Sequence, residues 1–315
     1  MRIFLTGGDG YLGSNLVEGL LGEADLVLYG HGRNFKWLEE KFGKSFTAIQ
    51  GDVTEKGKLV RSMRGADVVI HLAATMEDLN ENSHYPMAFQ NIFGTNRVLE
   101  GAKENGIKRF IFTSTYTIYG KLKDAERETL PEDSSLNPIN FYATTKLISE
   151  NEVLNAGIDY IILRLSHVYG YGVGIGDFGG VLLQFIESAL AKGKIVLTHG
   201  EDDIRDYIHV QDVVHCLKAI LTSSSIKNEI FNLGSGQSIT LWELATLISQ
   251  RVWNLLGKRA EIIYSKKEKN YGLNKPSLNI GKIKERLGFE PRVSLTKGVD
   301  DLVKRLKKSE YYCER

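Results

Sequence analysis

The stretch Thr6-Gly7-Gly8-Asp9-Gly10-Tyr11-Leu12-Gly13-Ser14-Asn15-Leu16 directly follows the run Arg2-Ile3-Phe4-Leu5. Four glycines within seven residues, placed after a short apolar run, read as strand, tight turn and helix start. Amides at a helix start lack intrahelical partners, and the helix dipole adds positive potential there, so this junction can hold phosphate. Glycine also lets backbone approach a pyrophosphate closely. A dinucleotide site is therefore one reading of the turn. The spacing Gly7, Gly10, Gly13 differs from the commoner G-x-G-x-x-G, and a plain glycine-rich turn is the other reading. The rest of the chain decides between them.

Beyond the turn, short apolar runs alternate with helical patterns. The expected strands are Ile3-Thr6, Asp25-Gly30, Phe46-Gly51, Ala66-Leu72, Arg109-Ser114 and Tyr160-Leu165, with Phe231-Leu233 as a late return strand. Several are unbroken Val/Ile/Leu/Phe runs, which suits strands buried on both faces. Thr95 to Asn105 and Ala143 to Asn155 have helical length and pattern. Such alternation predicts an α/β fold with a doubly wound parallel sheet, whose ligands bind at the carboxyl ends of the strands. The expected dinucleotide-binding domain comprises residues 1–168 plus about 207–234, and a smaller, mostly C-terminal α/β substrate domain comprises about 169–206 plus 235–315. Tyr171 to Gly176 reads as a flexible loop, and Lys266-Lys267-Glu268-Lys269 as a solvated surface run.

With 315 residues, 42% hydrophobic and 25% charged, the chain can bury a sizeable core. A formal net charge of +1 supplies no global field for nucleic acid or an anionic membrane. Two cysteines, Cys216 and Cys313, make a disulfide framework improbable and point to a reducing cytoplasm. The first strand starts almost at once, leaving no expected room for a signal peptide, and no apolar run is long enough to span a bilayer. Seven histidines without metal-site spacing predict no structural metal.

A second motif lies in Pro138-Ile139-Asn140-Phe141-Tyr142-Ala143-Thr144-Thr145-Lys146. On a helix, Tyr142 and Lys146 share one face, four residues apart. An ammonium beside a phenol favours the phenolate, and so provides an acid/base group usable near neutral pH. Taken alone, an ordinary helix with an exposed Tyr and Lys is the better reading of the pair, because such pairs arise often by chance. Thr113-Ser114-Thr115-Tyr116-Thr117-Ile118-Tyr119-Gly120 adds hydroxyls at the end of an expected strand.

With these segments in one order, the sequence resembles the extended short-chain dehydrogenase/reductase family, in its NAD-dependent epimerase/dehydratase group acting on nucleotide sugars. The resemblance spans nearly the whole chain. It includes the glycine turn, Gly51-Asp52-Val53, His71-Leu72-Ala73-Ala74, Asn91 through Thr95, Thr115 to Gly120, Tyr142-x-x-x-Lys146, Arg164 through Gly170, Arg205 through Asp212, and Asn232 through Gly236.

The resemblance implies a Rossmann-type fold, with Gly7, Gly10, Tyr11, Leu12 and Gly13 at the pyrophosphate and Asp52 with Val53 at the adenine. It also sets Leu72, Ala73, Ala74 and Asn91 along the cofactor. Tyr142 is the implied acid/base, and Lys146 binds the nicotinamide ribose while depressing the tyrosine pKa. Thr115 holds the reacting hydroxyl, and Arg205 grips the substrate diphosphate. The implied reaction is transient oxidation of a sugar hydroxyl by NAD(P), with C4 as the candidate carbon, in a homodimer formed through the helix after Asn91 and the helix carrying Tyr142.

Four departures matter. After Leu28-Tyr29, the segment Gly30-His31-Gly32-Arg33-Asn34 lacks the acid that NAD-preferring members carry for the ribose, so Arg33, assisted by His31 or Asn34, tilts the expectation toward NADP over NAD. A solvated loop arginine is the other reading of Arg33. Tyr116 and Thr117 replace the Asp-Glu pair of dehydratases, arguing against β-elimination. His167 stands where an asparagine commonly contacts substrate phosphates, unless it is only a packed residue. Lys275 stands near the place of a C-terminal substrate arginine. The leading expectation is a nucleotide-sugar epimerase. An NADP-dependent carbonyl or sugar reductase is the alternative, and a non-catalytic dinucleotide-binding redox sensor is the remote one.

Overall fold

The run Arg2–Thr6 forms β1, an inner strand of a seven-stranded, all-parallel sheet, between the strands Asp25–Gly30 and Val68–His71. The computed structural model describes residues 1–76, 84–120, 129–174, 180–197, 203–264 and 277–308. Lys266 to Lys269, Lys275 and Cys313, each given an expectation above, lie outside them. The other strands of the sheet are β2 (Asp25–Gly30), β3 (Thr47–Gln50), β4 (Val68–His71), β5 (Arg109–Thr115), β7 (Asp159–Leu165) and β11 (Glu229–Leu233). Their spatial order is β11-β7-β5-β4-β1-β2-β3. The order reverses around β1, which feeds the glycine turn, and at such a reversal ligands bind beyond the carboxyl ends of the strands.

Side chains alternate across the sheet with the period of two that strands impose. Ile3 and Leu5 pack on one face with Leu16, Val17 and Leu20 of α1 (Tyr11–Leu20) and with Val213, Leu217 and Ile220 of the helix Val210–Thr222. Phe4 between them points to the other face, with Phe110 and Phe112 of β5. That face is covered by Leu59 of α3 (Lys56–Ser62), Val98 and Leu99 of α5 (Gly94–Glu104), and Val153 of α6 (Phe141–Leu154). The sheet is thus buried on both sides, which is why its strands read as continuous apolar runs. Burying each phenylalanine stabilises the fold by about 2 kcal/mol. The helix α2 (Phe35–Phe42) seats Phe35 and Leu38 at the edge of the first face.

A second apolar cluster gathers Leu182, Phe185 and Ile186 of the helix Gly180–Lys192, Leu244 and Ile248 of the helix Leu241–Leu256, and Val299 and Leu302 of the helix Leu295–Lys308. Three small sheets accompany it. The strand β8 (His167–Tyr169) pairs with β10 (Ile204–His209), and β10 with β12 (Ser238–Thr240). The strand β9 (Lys194–Leu197) pairs with β13 (Glu261–Tyr264), and β6 (Thr129–Leu130) with β14 (Ser277–Leu278). No described helix is long and apolar enough to cross a membrane.

Two local features set up the site. The helix α6 starts where Asn140, with extended backbone, accepts the Ala143 amide on its side chain at 2.8 Å. This cap puts Tyr142 in the first turn. Ahead of α5, α4 (His84–Ala88) runs through a π-helical turn, Phe89–Phe93, and such turns recur at functional sites.

Candidate active site

The glycine turn closes tightly against the end of β4. Gly7 has φ +69°, and a Cβ there would stand 2.9 Å from the Ala73 amide nitrogen. A Cβ on Gly13 would overlap the Gly7 carbonyl oxygen, so the first turn of α1 packs directly on the loop. These are steric reasons for Gly7 and Gly13.

Beneath the turn runs a chain of hydroxyls through a fully buried His71. Thr95 Oγ1 donates to the Asn91 carbonyl at 2.6 Å, so it receives from His71 Nε2 at 3.0 Å. That leaves His71 Nδ1 to accept from Thr6 Oγ1 at 2.6 Å, and Thr6 Oγ1 in turn accepts the Ala73 amide at 3.3 Å. Burial, with the nearby Lys146 ammonium, pulls His71 down to about 3, so the ring stays neutral and the relay keeps one direction. The sequence reading noted His71 only as part of a motif. Its partners are 65 and 24 residues away, so nothing local signals the role.

Asn91, expected along the cofactor, braces its surroundings. Its side chain exchanges bonds with Thr75, accepting the amide at 2.7 Å and donating to the carbonyl at 2.9 Å, and it donates to Thr145 Oγ1 of α6 at 3.0 Å. It therefore ties the loop of Leu72, Ala73 and Ala74 to the helix of Tyr142. Asp52 sits after β3. Burial works to raise its pKa, but the Thr54 amide and hydroxyl and Gln90 Nε2 hold it below the usual carboxylate range. Val53 is buried in the apolar face beside Gly94.

Tyr11 turns away from the sheet: its hydroxyl donates to the Gly170 carbonyl at 2.9 Å, and its ring joins the second apolar cluster with Leu12 packed alongside. Asn34 donates its side-chain amide to the Asp9 carbonyl at 2.8 Å, bracing the turn. Arg33 is exposed.

The Tyr142–Lys146 pair lies on α6, which packs on β5 and on the 3₁₀ turn Tyr116–Tyr119 that follows it. Lys146 is buried, with Nζ 4.2 Å from the centre of the Phe112 ring. Burial pulls it down to about 7, opposed by the Glu150 carboxylate. Burial pushes Tyr142 up to about 12. Burial is the leading cause at both groups, and Lys146 is not among the causes acting on Tyr142, so the expected lowering of the phenol by its neighbour is outweighed by desolvation. Glu150, one turn beyond Lys146, pairs with Arg164 of β7 at 2.9 Å. Arg164 Nη1 also donates to the Tyr119 hydroxyl at 3.0 Å and to the Glu132 carbonyl at 2.9 Å. Arg164 is therefore buried structure that fixes α6 against β7.

Thr115 ends β5, and its Oγ1 accepts the Thr117 amide at 3.3 Å while lying 2.9 Å from Thr117 Oγ1. Beside it, the Tyr116 hydroxyl is 3.0 Å from His167 Nδ1, and Arg205 Nη1 lies 3.0 Å from His167 Nε2. The guanidinium can only donate, so His167 accepts through Nε2 and carries its proton on Nδ1 toward Tyr116. The parallel pairing of β8 with β10 puts His167 opposite Tyr207, two residues from Arg205. The two residues expected at the substrate are thus one cluster with Tyr116, a partner the sequence reading did not assign.

A doubly wound parallel sheet with a glycine turn after its first strand and a Tyr-x-x-x-Lys helix on its fifth defines an enzyme of the short-chain dehydrogenase type. Residues 3–234 match the model of the NAD dependent epimerase/dehydratase family, and the chain belongs to that family. The structure superposes on a UDP-glucose 4-epimerase from Thermotoga maritima, solved with UDP-glucose, with a TM-score of 0.86 and 28% identity, covering 98% of this chain and 99% of that one. A dTDP-glucose 4,6-dehydratase from an Actinoplanes species is 28% identical over 96% of this chain and 97% of its own. The fold is shared with a UDP-glucuronic acid 4-epimerase from Bacillus cereus, solved with UDP-glucuronic acid and NAD, with a TM-score of 0.83, 24% identity and coverage of 97% and 100%.

Proposed function

We propose that the chain is a nucleotide-sugar epimerase that transiently oxidises a sugar hydroxyl. The observation that carries the reading is the pair of half-buried Tyr142 and buried Lys146 on α6, packed on the strand that ends in Thr115, at the carboxyl edge where the glycine turn lies. Gly7, which tolerates no Cβ against Ala73, and Gly13, which tolerates none against Gly7, make a cradle that fits a dinucleotide pyrophosphate. Gly10 completes the turn, Asp52 and Val53 are suited to the adenine, and Leu72, Ala73 and Ala74 to the length of the cofactor. A bound NAD supplies the hydride acceptor for the oxidation and the donor for its reversal.

The chain's own residues move the proton and hold the sugar. Tyr142 Oη, as phenolate, takes the hydroxyl proton of the substrate and returns it after the hydride has come back to the other face. Lys146, protonated, stabilises that phenolate across one helical turn, and Glu150 favours its protonated form. Thr115 Oγ1 orients the reacting hydroxyl. Arg205, with His167 and Tyr116 beside it, provides donors for a diphosphate. Tyr116 and Thr117 carry no carboxylate, so elimination of a hydroxyl has no acid or base there.

The relatives solved with NAD favour NAD over the NADP expected from sequence. Residues 1–168 plus about 207–234 are proposed as the dinucleotide-binding domain, supported by the return of β11 to the main sheet. Self-association through the helices of Asn91 and Tyr142 is supported by exposed Phe89 and Ile148 on those segments. Denaturing the purified protein and weighing the released dinucleotide tests the reading. Retained NAD is the expected result; an empty protein that binds and exchanges NADPH would favour the reductase alternative.

A further inference from the structure

We infer that Asp9, in the glycine turn, is the residue that selects NAD over NADP, delivering from the loop the carboxylate that β2 lacks. The inference rests on the dinucleotide site proposed above. In doubly wound folds the acid for the adenosine ribose stands at the end of the second strand. Here that strand ends at Gly30. The space beyond Gly30 is filled by Asp9: a Cβ on Gly30 would overlap Asp9 Oδ1, which lies where an acidic side chain at position 30 would have to start.

Asp9 is buried and held from three sides. Its Oδ2 accepts the Gly32 amide at 2.8 Å, just past the end of β2. Its carbonyl accepts Asn34 Nδ2 at 2.8 Å. The turn that carries it is fixed by the Gly10 amide donating to the Gly7 carbonyl at 3.1 Å. Loop acid and strand-end glycine are therefore complementary: either position can present a carboxylate at this corner, but not both. With Oδ2 engaged by Gly32, Oδ1 keeps lone pairs for a ribose hydroxyl. A 2′-phosphate at the same corner would meet a fixed negative charge and lose the hydrogen bond. Arg33, the cation expected to greet that phosphate, is exposed.

The test is the ratio of NADPH to NADH dissociation constants, read by nicotinamide fluorescence on the full chain stripped of bound dinucleotide. Asp9→Asn keeps an acceptor for the Gly32 amide and the same shape while removing the charge. The unsubstituted protein should bind NADH more tightly, and Asp9→Asn should reduce that preference by about tenfold. Adding Gly30→Asp to Asp9→Ala should restore it, because the acid then comes from the strand. Tighter binding of NADPH by the unsubstituted protein overturns the inference whether or not any variant folds. So does a preference for NADH that Asp9→Asn leaves unchanged. Failure of the unsubstituted protein to bind either dinucleotide overturns the functional reading and this inference with it.

Discussion

Burial moves Tyr142 and Lys146 in opposite directions, because it penalises the phenolate of one and the ammonium of the other. For Lys146 this is also a statement about stability. Above its ordinary value of 10.5 the amine is neutral in folded and unfolded chains alike. As pH falls from there toward about 7, the unfolded chain binds the proton first and the folded state loses stability. The loss is on the order of 4 kcal/mol by pH 7. Lys146→Met should therefore raise the urea midpoint at pH 7 and leave it nearly unchanged near pH 10.5, although it removes the lysine proposed to act with Tyr142. A variant destabilised at pH 7 would contradict this. The residue types of the pair were legible from four-residue spacing alone, but their protonation was not, since it depends on burial against groups such as Phe112 of β5 and on the opposing charge of Glu150 one turn on. Asp9 was hidden for a similar reason: the vacancy it fills belongs to a strand end 21 positions further along the sequence.

At the scale of elements, α6 is held by polar ties as well as apolar packing. Asn91 binds it through Thr145, Ser149 donates to the Asn91 carbonyl at 3.0 Å, and the Glu150–Arg164 pair fixes it to β7. Both members of that pair are almost wholly buried. Glu150→Ala should destabilise the fold by about 3–5 kcal/mol, since it strands a buried guanidinium. Urea unfolding measures this, and a change under about 1 kcal/mol would show that the ion pair is dispensable. Helix α5 was legible almost to the residue because its apolar period is long. Helix α6 began two residues earlier than its apolar pattern, because the Asn140 side chain, not a hydrophobic residue, starts it. The π-helical turn before α5 left no mark that periodicity could detect.

Across the whole molecule, alternating apolar runs and glycine punctuation made the parallel sheet readable, as both faces are covered and each strand is therefore apolar throughout. The second apolar cluster was less readable. Its helices draw on segments separated by more than a hundred residues, and Tyr11 reaches into it from the glycine turn. The cluster of Tyr116, His167 and Arg205 likewise forms only when β5, β8 and β10 converge. The central claim is that these parts perform an internal oxidation and reduction of a nucleotide sugar. The most direct measurement is to incubate the protein with a UDP-hexose deuterated at C4, without added reductant, and follow the sugar by NMR. The account predicts a mixture of two epimers with deuterium retained on the carbon, and none with Tyr142→Phe. Turnover only when a reduced dinucleotide is supplied, or loss of a hydroxyl from the sugar, would contradict it.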